Sequence, residues 1–206
     1  MSPKFALLTF DGVIIGVALA SGVDKLVQQW GGLTFINAIT FFIAAINFFH
    51  GKLNLISDNE YQDYADSRNP VVELVDFVLH ILTLGSFAFM PHYLVNMKGY
   101  LMVHVSMRTF DALLVLVVSR SVRRSQLPAT RKSRIGNTNR DWLVIDIIVI
   151  LTTGLLLGML WGVATFAGMQ ILAASVLLTL GIADIGSDYY FHREYYFGTR
   201  QEIVTN

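Results

Sequence analysis

The chain has 206 residues, of which 54% are apolar and only 15% charged, with a formal net charge of zero and no cysteine. This composition, with its positive mean hydropathy, excludes a soluble globule and a disordered chain, and points to a protein built mostly of membrane spans. Without cysteine there is no disulfide, thiol catalysis or cysteine-ligated metal.

No cleavable signal is expected before the first apolar run, because Met1 to Lys4 is too short for the usual charged start. Apolar windows of about 20 residues, the length that crosses hydrocarbon as a helix, place six spans near Phe5 to Val23, Leu33 to Phe49, Val71 to Val95, Gly99 to Val118, Trp142 to Ala164 and Gly168 to Asp188. Pro3 and Pro70 stand where the first and third helices begin, and Pro91 is expected to kink the third near its far end. The segments Asp58 to Pro70 and Ser125 to Thr138 read as solvated loops. The expected fold is all-α: one polytopic domain, residues 1–206, with six transmembrane helices.

Loop charge then sets the orientation. Lys4, Lys52, Arg68, Arg120, Arg123, Arg124, Arg131, Lys132, Arg134, Arg140, Arg193 and Arg200 lie on the side holding both termini, against Lys25 and Lys98 on the other. Since cytoplasmic loops are enriched in Lys and Arg, both termini are expected in the cytoplasm. The basic loop is read as topogenic, so no nucleic-acid partner is expected. Trp30, Tyr93, Tyr100 and Trp161 are expected in an outer aromatic belt, and Trp142, Tyr189, Tyr190, Tyr195 and Tyr196 in an inner one.

Ionisable groups inside these runs carry the functional signal. A charge at the centre of a span costs at least about 2.5 kcal/mol on insertion scales, so it persists only when paired, hydrated or useful. Asp11, His50, Asp76, His80, Arg108, Asp111 and Asp184 are the candidate polar network or ion path. Asp76 and His80 share a helix face one turn apart, as do Asp184 and Asp188, and nearly so Arg108 and Asp111. A purely architectural network is the alternative. Asp146 and Asp188 sit near span ends, where water or headgroups are expected to solvate them, and His92 and His104 are expected near the outer interface. Gly12, Gly16 and Ala20, and Gly154, Gly158 and Gly162, recur every fourth residue; such stripes usually let helices approach closely, so both are expected against other helices.

The run Phe10-Asp11-Gly12-Val13, the second-helix end Asn47-Phe48-Phe49-His50 and the stretch from His80 to Phe89-Met90-Pro91 resemble the endolysosomal-type potassium channel family with the F-S-D signature. By that match Asp11 corresponds to the signature Asp, His50 to the second-helix His and His80 to a third-helix Asn. The resemblance implies a prokaryotic plasma-membrane protein of six helices, assembled as a homo-oligomer, with tetramers the family's form and the first helix lining the pore. Thr9 and Phe10 replace the signature Phe and Ser, and Phe5 the preceding Arg. The pore-lining positions fall at Gly16, Ala20 and Val23, which lack the bulk of the family's apolar constriction.

The expected function is therefore a membrane cation channel or transporter, potassium among its ions, pH-sensitive through its histidines, with membrane lipid and small cations as partners, no cofactor and no catalytic residue. Nothing resembles a backbone-carbonyl filter. The alternative is an intramembrane metal-dependent enzyme that holds zinc or iron through His50, His80, Asp11, Asp76 and Asp184. A haem carrier using His80, His92 and His104 fits less well, because cofactor pairs come from facing helices at one depth. Asp11, His50 and either Asp76 or His80 are expected to form a direct network between the first three helices.

Overall fold

The computed structural model of the chain describes residues 3–57, 70–162 and 167–191. Among them are six long helices: α1 (Pro3–Gln28), α2 (Gly32–Ser57), α3 (Pro70–Phe89), α4 (Met97–Arg124), α5 (Ala129–Gly162) and α6 (Ala167–Phe191). Four, α3 to α6, are long and apolar enough to cross a membrane, which marks the chain as a membrane protein. In α2 the apolar stretch is the shorter Gly32–Asn47.

Local chemistry sets the helix ends. Pro3 and Pro70 open α1 and α3 as expected, where a missing N–H costs nothing. Pro91 ends α3 rather than kinking it: the α-helix stops at Phe89 and the chain tightens into a 3₁₀ turn, Met90–Tyr93. Asn96 caps α4, its side-chain oxygen accepting from the Gly99 amide at 3.2 Å. A Cβ on Gly99 would lie only 2.2 Å from the Tyr93 ring, so glycine is required for the chain to double back this tightly. The region from Ser125 to Thr138 corrects the loop expectation: only 125–128 is non-helical, and α5 starts at Ala129, directly after Pro128. No proline or glycine pair interrupts the polar stretch that follows, and it packs along α4.

The helices close a ring in the order α1, α3, α4, α5, α6, α2 and back to α1. The apolar core gathers near the connections 29–31 and 94–96, around Phe41, Leu84, Phe87, Met90, Leu94, Tyr100, Leu101 and Leu177. Phe41 is its pivot. Its ring stacks on Phe87 of α3 with centroids 4.9 Å apart, and lies so near Gly22 of α1 that a Cβ there would meet it at 2.7 Å. A smaller cluster, Val118 and Val122 with Leu127 and Ile135, closes the other end.

The small-residue stripes do not pack as expected. A Cβ on Gly12, Gly16, Gly154, Gly158 or Gly162 would meet nothing within 4 Å, and Gly16, Ala20, Gly154, Gly158 and Gly162 are exposed on the outside of the ring. Larger side chains one or two positions away, Ile15, Ala18, Thr153 and Leu160 among them, are the ones turned inward, and they set the inter-helix spacing. Tyr100, expected in the outer belt, is fully buried, whereas Trp30 and Trp161 are exposed.

Candidate functional site

Polar residues occupy the ring interior at four places. The first joins α1 to α3. Asp11 and His80 are both buried, and His80 Nε2 lies 2.9 and 3.1 Å from the two carboxylate oxygens of Asp11. A carboxylate only accepts, so Nε2–H donates. This is half of the expected network. Asp76, one turn before His80, is half-buried, and the side chain of His50 lies outside the described residues. Double-mutant analysis of Asp11→Ala and His80→Ala should return a coupling of about 1 to 3 kcal/mol, the range for a charge-assisted bond; additive losses in a thermal or denaturant unfolding assay would show that the pair contributes nothing.

The second place holds the strongest charges. On α4, Tyr100, His104 and Arg108 are spaced by four residues and Asp111 follows three later, so one face carries them all. Arg108 Nη1 donates to Asp146 Oδ1 of α5 at 3.0 Å, and Arg108 Nη2 donates to Asp184 Oδ2 of α6. Asp111 is within electrostatic reach of both Arg108 and Asp146. One guanidinium thus faces three carboxylates from three helices. Such a fork suits arginine, whose planar donors can engage two acids at once. Two buried atoms here have no hydrogen-bond partner among the described residues, Asp146 Oδ2 and Arg108 Nε.

Two further pairs extend the polar line. One turn from Asp146 and Asp184, Trp142 Nε1 donates to Asp188 Oδ1 at 2.6 Å. Toward the other end, Tyr100 Oη donates to the Asn37 carbonyl at 3.1 Å, while Asn37 Nδ2 donates to the Leu94 carbonyl at 2.9 Å. The Tyr100 and His104 rings stack 6.5 Å apart.

The sequence-chosen residues therefore divide. Asp11 and His80 form one pair, Arg108 and Asp184 with nearby Asp111 form another centre, and the two centres use different helices. Asp184 is engaged by Arg108 and does not join Asp11 and His80; among the described residues no group of three His, Cys, Asp or Glu side chains could hold a metal. Gly16, Ala20 and Val23 face outward from the ring, Val23 being 51% exposed.

Sequence reasoning misplaced Asp146, Asp188 and His104, all three expected to be solvated near span ends or the interface. Asp146 is only 2% exposed and lies mid-helix, because α5 begins well before the apolar run. Asp188 is buried beneath Trp142, not solvated at a span end. His104, expected at the interface, is 3% exposed; its position one turn from both Tyr100 and Arg108 was the available signal. His92 is exposed, as expected. Comparisons of the chain with family models, curated proteins and solved structures return no match.

Proposed function

We propose that the chain is a six-span membrane protein with both termini in the cytoplasm that moves small cations, potassium among them, across a prokaryotic plasma membrane. The observation that carries this reading is the sign of the buried charge: two buried carboxylates, Asp146 and Asp184, share the one Arg108 guanidinium. Intramembrane ionisable groups cluster where ions or protons pass, and a surplus of carboxylates favours cations over anions. The placement of Asp184 with Arg108, on helices other than those of the Asp11–His80 pair, favours transport over the metal-enzyme alternative.

Orientation is supported by the basic residues Arg120, Arg123, Arg124, Lys132 and Arg140 around the α4–α5 connection, against Lys25 and Lys98 at the opposite end. The outward face of α1 with Gly16, Ala20 and Val23 supports a homo-oligomer, a tetramer by the potassium-channel resemblance, with α1 toward its axis.

Flux measurements on purified protein in liposomes with an imposed potassium or sodium gradient test the reading. Wild-type protein should release the cation, and Asp146→Asn or Asp184→Asn should slow release by about tenfold or more, the effect of roughly 1.4 kcal/mol in a barrier. A sealed membrane across a broad pH range would overturn it.

A further inference from the structure

The charge surplus at Arg108 also bears on what binds there. Asp146 and Asp184 share the one Arg108 guanidinium, two carboxylates to one cation, and one carboxylate oxygen, Asp146 Oδ2, is buried without a hydrogen-bond partner among the described residues. An acceptor left in that condition costs far more than one bonded to water. The opposite defect sits beside it: Arg108 Nε is a buried donor with no acceptor among the described residues.

Building on the cation-moving function above, we propose that Asp146 takes up and releases a proton inside the membrane, and that Arg108 shifts its hold from Asp146 toward Asp184 of α6 as the proton binds. The proton, drawn from water, adds to Oδ2 of the Asp146 carboxylate and gives a carboxylic acid, with no other bond made or broken in the protein. The attraction holding Nη1 at Asp146 then falls, while the Arg108 contact to Asp184 remains. Release of the proton restores the original contact. Each cycle moves α5 against α4 and α6, the three helices that the guanidinium joins.

Asp146 is favoured over its neighbours by geometry. Arg108 holds both Asp146 and Asp184, and Asp111 is half-buried, but of the three it is Asp146 that combines near-complete burial with a carboxylate oxygen lacking a hydrogen-bond partner among the described residues. The charged groups that face it are Arg108 and Asp111 from α4 and Asp184 from α6; Asp188, paired with Trp142, lies one turn along. A proton fits better than a metal cation, because a metal such as calcium needs six or more oxygens, and here one free oxygen stands beside a guanidinium.

Dicyclohexylcarbodiimide, an apolar reagent that adds to protonated carboxyl groups shielded from water, tests this on the full-length protein in liposomes. Peptide mass mapping should find the adduct on Asp146 at acidic pH, with labelling declining by about tenfold per pH unit above the titration midpoint. Asp146→Asn should abolish the adduct and flatten the pH profile of cation flux, and Asp146→Glu should keep both. An adduct that is absent from Asp146 in flux-active protein, equally strong at every pH, or carried by Asp184 instead would overturn the proton site while leaving cation movement standing. A pH-dependent Asp146 adduct in protein that passes no cation would uphold the site and overturn the transport reading.

Discussion

Replacing Arg108 with methionine should destabilise the protein more than any other single change, by about 3 to 5 kcal/mol, the cost of leaving a buried charge without its partner. Methionine keeps much of the side-chain bulk, so the loss reports charge rather than a cavity. Asp146 and Asp184 would then face each other without the guanidinium that Arg108 sends to both. Adding Asp146→Asn and Asp184→Asn to that variant should recover most of the loss, since no uncompensated anion remains at these two positions. Arg108→Lys should fall between, because an ammonium is a single point charge that cannot fork between two helices. Thermal unfolding in detergent followed by size-exclusion chromatography reads all three variants against the wild type; a triple variant no more stable than Arg108→Met would show that the arginine acts through packing.

Phe41→Ala should give the second large effect, and its size separates two views of the core. In water, truncating a buried phenylalanine costs about 3 to 5 kcal/mol, much of it transfer of apolar surface. Between helices already in lipid that transfer term vanishes, because lipid tails are as apolar as the core. What remains is lost packing, so the expected cost is about 2 kcal/mol from a cavity term near 24 cal/mol per Å³. The same variant should loosen α1 and α3 together, since the Phe41 ring touches Gly22 and stacks on Phe87. Hydrogen exchange confined to α2 would contradict that linkage.

The helices were legible because each apolar run is bounded by proline, glycine or charged residues, and four of the helices have the length a span requires. Their ends were less so: hydropathy starts the fifth helix at Trp142, while the backbone is helical from Ala129, through residues too polar to register as a span. That one displacement hid Asp146, which looked like a residue near an aqueous boundary. Arg108 and Asp184 stood out because charge is rare in such runs, yet their pairing could not be read, since it depends on α4 and α6 meeting α5 in the ring. The glycine stripes misled for a related reason. Small residues permit close approach, but spacing within one helix does not say which neighbour, or whether any helix of the same chain, will use it.

The ring also imposes an order on biosynthesis. Helix α2 emerges early, yet its extensive partner is α6, the last helix made, with Ile43 packing toward Gly181. Arg108 likewise waits for Asp184 while Asp146 is already beside it. Until α6 is made, α2 has an unmatched flank and the α4–α5 pair carries an arginine with only part of its counter-charge. A chain released after α5 would therefore keep its circle open, with one of the two acids that accept from Arg108 missing.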